Sequence, residues 1–221
     1  QFQNYQIEEI TIPDGVEIIE ENAFNKCSLL KNVIFPSSSL YSIGNGAFYQ
    51  CTLLTQLNIP SSVELIDSFA FSGCTSLIEL NIPSSVKSIG SNAFSNCTSL
   101  TKVIIPSSVV FFDSNVFDNC IKLEEVTMDP YQTQISNSIF QNCPSLHSLL
   151  IQTIESSTNS INISIIKKFK TIKILSPIKS IADRSFENCS FIENIVIPYS
   201  VTSIGSYAFS KCELLTKIII P

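Results

Sequence analysis

The apolar residues of this chain fall in one order that returns every 23 residues. Cysteines stand at Cys27, Cys51, Cys74, Cys97, Cys120, Cys143, Cys189 and Cys212. Each follows a phenylalanine by three residues: Phe24, Phe48, Phe71, Phe94, Phe117, Phe140, Phe186 and Phe209. Prolines at Pro13, Pro36, Pro60, Pro83, Pro106 and Pro198 mark the other boundary. One period reads C-x-x-L-x-x-L-x-I-P-x-x-V-x-x-I-G-x-x-A-F-x-x, as from Cys74 to Asn96. A repeat of this length decides the fold class ahead of any local reading, because each period must be one structural coil.

Within a coil, the pattern predicts three pieces. After Cys74 the apolar positions are Leu77, Leu80 and Ile82, the last two alternating inward and outward as in a short strand. Proline ends that strand, having no N–H for the ladder. Val86 and Ile89 form a second inward segment, and Gly90 suits a tight bend. Ala93, Phe94 and Cys97 have the spacing of a single helical or 3-10 turn with its apolar side inward. No coil can bury this side alone. Stacked coils can, giving a phenylalanine spine, a cysteine ladder and a Leu/Ile layer. The expected fold is thus an α/β repeat, a solenoid of 23-residue coils forming one domain over residues 1–221, with about nine repeats. The coil at 152–174 is degenerate: it lacks the Pro, Gly, Phe and Cys, but Phe169, Ile172 and Ile174 keep the strand layer.

The L-x-x-L-x-[IL] strand is the mark of leucine-rich repeats. The strings "LNIPSSVELIDSFAFSGCTSL" (57–77) and "LNIPSSVKSIGSNAFSNCTSL" (80–100) resemble the BspA-type, or Treponema pallidum-type, repeats of cell-surface proteins. The resemblance covers nearly the whole chain. It implies a right-handed solenoid, carried by bacteria and mucosal protists, displayed at the cell surface or secreted, and linked to adhesion. The implied partner is a protein or glycan of host cells or extracellular matrix. A fold hosts many functions, so the functional implication is the weaker of the two.

Both ends fall inside the pattern. Ile7, Ile10 and Ile12 match the strand positions before Pro13, and "LLTKIIIP" (214–221) is a strand with no following coil. Neither has the polar cap of a complete solenoid, so the chain reads as an uncapped fragment of a longer array whose bare edges offer a route to self-association. No signal peptide and no apolar run near ~18 residues occurs, so no membrane span is expected here.

Eight cysteines raise the question of disulfides or metal. In a stack, equivalent side chains point the same way, so their Cβ atoms lie about one strand spacing apart, longer than the ~3.8 Å of a disulfide. A row of ligands cannot surround a tetrahedral ion either. All eight read as buried free thiols used as small apolar residues. An extracellular home normally favours disulfides, and the column geometry is set against that. His147, the only histidine, lies four residues after Cys143, but the thiol belongs to the inward ladder and the imidazole does not, so no catalytic dyad is expected. No catalytic residue, cofactor or metal site is predicted.

The net charge of −6 opposes a nucleic-acid surface. It is uneven: residues 1–129 hold 14 acids and 5 bases, and residues 130–221 hold 5 acids and 8 bases. Lys167, Lys168, Lys170, Lys173, Lys179 and Arg184 form a basic cluster that would suit an anionic partner such as a sulfated or sialylated glycan. Asn96, Asn162 and Asn188 stand in N-x-[ST] sequons, two of them at a position before the ladder cysteine that the repeat fills with Asn anyway.

With the inward positions fixed by stacking, information can sit only on the outward strand positions. One column runs through Ile34, Asn58, Asn81, Ile104, Thr127 and Lys173, and another through Gln56, Glu79, Lys102, Glu125 and Lys217. These are the predicted partner-binding residues, an apolar stripe beside a polar one. The expected function is a non-catalytic binding module of an adhesin-type protein. The alternatives are a structural spacer or self-assembling array, and an intracellular scaffold, for which unpaired thiols would be natural.

Overall fold

A computed structural model describes residues 6–128, 138–151, 169–175 and 178–219 of the chain. It divides into two compact units, Gln1–Leu123 with Gln134–Ser145, and Glu124–Thr133 with Leu146–Pro221. Each is a parallel β-solenoid whose coils repeat at the interval read from the sequence.

In the first unit, the L-x-I segments give β1 (Glu9–Thr11), β3 (Asn32–Ile34), β6 (Glu79–Asn81) and β8 (Lys102–Ile104). β1 pairs with β3 and β6 with β8, both parallel and in register 23 residues apart. The middle residue of each pair faces inward, and its neighbours face solvent. Residues 56–58 do not form a strand, although Leu57 and Ile59 are buried as the alternation requires. A second sheet on the V-x-x-I segments orders β2 (Ile18–Ile19), β4 (Ser42–Ile43), β5 (Leu65–Ile66), β7 (Ser88–Ile89) and β9 (Phe111–Phe112) side by side. The extra serine of "PSSSL" is absorbed before β4, so Ile18 pairs with Ser42 across 24 residues and the later strands return to 23.

The second unit orders β10 (Glu125–Met128), β11 (Ser148–Ile151), β12 (Thr171–Ile174), β14 (Asn194–Val196) and β16 (Lys217–Ile219). β13 (Ser180–Ile181) pairs with β15 (Ser203–Ile204). β12 belongs to the degenerate coil, and its strand layer is intact: Phe169, Ile172 and Ile174 are buried. The rest of that coil, with Lys167, Lys168 and Asn162, lies outside the described residues.

The third piece of the coil differs in detail from the expected turn. Its i→i−3 bonds are present, as in Ala47 N–H to Gly44, Tyr49 to Gly46 and Cys51 to Phe48. They do not run on as a helix, because left-handed residues interrupt them on both sides of the phenylalanine. Around Phe94 these are Asn92 (φ 57°) and Asn96 (φ 58°), and around Phe117 they are Asn115 (φ 60°) and Asn119 (φ 58°). The interruption turns alternate N–H groups along the stack. Asn92, Phe94 and Asn96 donate to the carbonyls of Ser114, Val116 and Asp118 in the next coil, at 3.1, 2.9 and 2.8 Å. The turn side is therefore a backbone ladder in its own right, which a helix could not supply because all its bonds close within the segment.

That ladder sets the core. The rings of Phe24, Phe48, Phe71, Phe94, Phe117 and Phe140 stack with centroids 5.1–5.6 Å apart and planes within 17°. Each such pair contributes about 0.5–1.5 kcal/mol beyond burial of its area.

Candidate functional site

The cysteines come first, because they recur at one position of nearly every coil. All eight are free, six of them buried and Cys143 and Cys212 half-buried. Their role is more than that of a small apolar group. The thiol of Cys51 donates to the carbonyl of Phe24 at 3.3 Å, Cys120 to Phe94 at 3.3 Å, and Cys212 to Phe186 at 3.1 Å. The same phenylalanine carbonyls accept the N–H of their own coil's cysteine, as Phe24 does from Cys27. Each S–H is thus aimed at a backbone oxygen of the preceding coil. Burial pushes the thiols of Cys51 and Cys189 up to about 12, and those of Cys74, Cys97 and Cys120 well above the ordinary value. The thiolate is the reactive form, so burial lowers the reactivity of these five thiols. Cys143 fits this pattern, donating to Phe117 at 3.1 Å, while His147 is exposed and its backbone sits in the ladder with Glu124 and Lys170. Among the described residues, no cluster of three or more His, Cys, Asp or Glu could hold a metal ion.

The predicted strand-face residues divide by unit. In the first unit Ile34, Gln56, Asn58, Glu79, Asn81, Lys102 and Ile104 are all exposed. Glu79 lies opposite Lys102 and Asn81 opposite Ile104 in the ladder. The polar column is tied across coils, with Asn32 donating to Glu9 at 3.0 Å. Beside it Lys31 meets Glu8 at 2.8 Å, which holds the Glu8 carboxyl below the usual range.

In the second unit the expectation needs correcting. Thr127 is only 7% exposed and Glu125 is half-buried, so Thr127 presents no free surface. Leu150, its register partner in β11, flanks it, and Ser148 beside Glu125 is buried as well. Lys173 is half-buried between Leu150 and Val196, whereas Lys217 is exposed. The basic cluster is likewise reduced. Lys170 pairs with Glu193 at 3.0 Å, and Arg184 pairs with Glu187 at 3.3 Å while lying over the Tyr207 ring. Lys179 is exposed.

Two features escaped the sequence reading. The first is the left-handed turn backbone, whose signal was the Asn or Gly two residues before or after most of the phenylalanines, although Lys26, Gln50, Phe69, Arg184, Tyr207 and Lys211 hold the same angle. It gives Asn96 and Asn188 (φ 58° and 63°) a conformational reason to be asparagine, apart from their sequons. The second is the outward side of the β2–β9 sheet, where Ile18, Val110 and Phe111 are exposed. Among the described residues, no helix is long and apolar enough to cross a membrane.

The chain matches the family described as "BspA type Leucine rich repeat region (6 copies)" over residues 1–124, 41–167 and 164–221. Among solved structures, a leucine-rich repeat protein from Bacteroides ovatus is similar at 28% identity and TM-score 0.62, over 96% of this chain and 60% of that one. The chain therefore spans less than two thirds of that protein's length. The leucine-rich repeat protein of T. pallidum is similar at 24% identity and TM-score 0.54, over 96% of this chain and 79% of its own. One from Eubacterium ventriosum is similar at 21% and 0.53, over 97% and 60%; likenesses at these identities show the fold. Comparison with curated proteins finds no match. Matched by that family across nearly its whole length, and folded as its repeats require, the chain belongs to the BspA-type leucine-rich repeat proteins.

Proposed function

We propose that this chain is a non-catalytic binding module, part of a surface-displayed or secreted protein that contacts a host or matrix macromolecule. The reading rests on one observation. Across β3, β6 and β8 the inward residues Val33, Leu80 and Val103 are nearly interchangeable, while their outward neighbours change in charge, polarity and bulk. Strand propensity accounts for Ile34 and Ile104 but not for the alternation of Glu79 with Lys102 or Asn81 with Ile104. Exposed faces of stacked repeats are extended recognition surfaces, and this one mixes apolar and charged positions at one strand spacing.

The test is a binding panel of the whole chain against immobilised matrix proteins, sulfated and sialylated glycans and intact epithelial cells at physiological salt. Saturable binding to one class, weakened by Lys102→Glu with Ile104→Asp, is the expected result. A folded protein that binds none of them leaves the spacer role as the better account.

A further inference from the structure

The second sheet of the first unit carries a pattern of two coils rather than one. Along its outward column the register pairs Ile18 with Ser42, Ser42 with Leu65, Leu65 with Ser88, and Ser88 with Phe111. Large apolar side chains thus alternate with serines, and the large ones recur every second strand, about 10 Å apart at the usual strand spacing. Ile18 and Phe111 are 49% and 57% exposed, and Tyr41 and Val110, one position earlier in their coils, are 52% and 50% exposed. Leu65, between Ile18 and Phe111, is half-buried, as is Ser88, and Ser42 is buried, so the strip has exposed ridges at its two ends, a lower one at Leu65, and troughs at Ser42 and Ser88.

An exposed apolar strip of this kind marks a contact with another macromolecule. Its rim tells which kind. Glu17, Glu20, Glu64, Asp67 and Asp113 flank it in the same coils, against the single ammonium of Lys87. Asp67 and Asp113 each spend one oxygen on the following backbone N–H; Asp113 and the three glutamates are exposed, and Asp67 is half-buried. This field repels nucleic acid and anionic lipid and attracts a cationic partner. The spacing adds a geometric requirement. Side chains seven residues apart on an α-helix are separated by ~10.5 Å, which matches the distance from one trough to the next.

We propose that this sheet is a docking surface for a cationic amphipathic helix of a partner protein, its apolar residues seven apart seated over Ser42 and Ser88 and its lysines or arginines against the flanking carboxylates. The surface is separate from the strand face argued above and does not depend on it.

The probe is a fluorescent Leu/Lys amphipathic helix of about 18 residues, with a Leu/Glu helix as its counterpart, titrated against the whole chain at low and physiological salt. The Leu/Lys helix is expected to bind, more weakly as salt rises, and the Leu/Glu helix is not. Ile18→Ser with Phe111→Ser should weaken binding by about tenfold or more. Glu17→Gln with Glu64→Gln, which leaves the packing untouched, should weaken it by about fivefold. Glu124→Gln with Glu213→Gln removes the same charge elsewhere and should leave it unchanged. Absence of binding, or equal losses in the two glutamine pairs, would overturn the proposal. So would light scattering that finds a dimer dissociated by Phe111→Ser, which would assign the strip to a second copy of this chain.

Discussion

The turn side and the strand face of the same coils obey different rules. On the turn side, three main-chain bonds per coil run to the next, as Asn92, Phe94 and Asn96 show, and left-handed angles, a ring stack and a thiol bond add to them. On the strand face, only the inward residue of each triplet is buried, and Glu79, Asn81, Lys102 and Ile104 are exposed. The stack therefore concentrates its constraints on one side of the coil and leaves the other free to change. That asymmetry is how a sequence with so regular a core can still carry information.

The comparison can be broken most severely at the spine. Phe94→Ala removes a fully buried ring between two stacked neighbours and should cost about 3–5 kcal/mol, read as a drop in the urea midpoint. Gly90→Ala comes next. A Cβ there would run into the backbone nitrogen of Ser68 in the preceding coil, so the coils must part, at about 1–3 kcal/mol. Phe69→Asn should act in the opposite direction. Phe69 holds a left-handed φ of 55° with a bulky, half-exposed side chain, and asparagine tolerates that angle, so stability should rise by about 1 kcal/mol. On the strand face, Ile104→Ser should change stability by less than about 0.5 kcal/mol in the same melts.

The thiol ladder sharpens the contrast through pH. Unfolded cysteines ionise near 9.0, whereas Cys51 and Cys189 in the fold stay protonated to about 12. Their raised native values contribute stability that is fully present below 9.0 and is lost as pH climbs toward about 12. Urea midpoints measured from pH 7 to 11 should fall once pH rises past the unfolded thiol value of 9.0, and less steeply in a Cys51→Ala, Cys74→Ala protein. In the native state a thiol reagent should find the buried cysteines slow, and denaturation should release eight.

Most of the scaffold was legible in the sequence because its causes are periodic. The phenylalanine spine, the cysteine ladder and the inward strand residues each recur at one spacing, and stacking admits a single arrangement of them. The left-handed turns were written just as plainly in Asn92, Asn96, Asn115 and Asn119, but a three-and-four spacing around Phe94 also fits a helical turn, and the apolar pattern cannot tell them apart. Outward positions were less legible. Thr127 and Ile104 hold equivalent places in the repeat, yet one is buried and the other exposed, since exposure depends on what lies around a coil rather than on its own period. The pairing of Lys170 with Glu193 and of Arg184 with Glu187 likewise joins residues that a count of charges along the chain keeps separate.

The most direct test of this division is calorimetric titration of the ligand class found by the binding panel into wild type and an Ile34→Asp, Ile104→Asp protein with matched melting temperatures. The account predicts that affinity falls by about tenfold or more while the fold is unchanged. Equal affinity in the two proteins would contradict it, and would remove the strand face from the recognition surface.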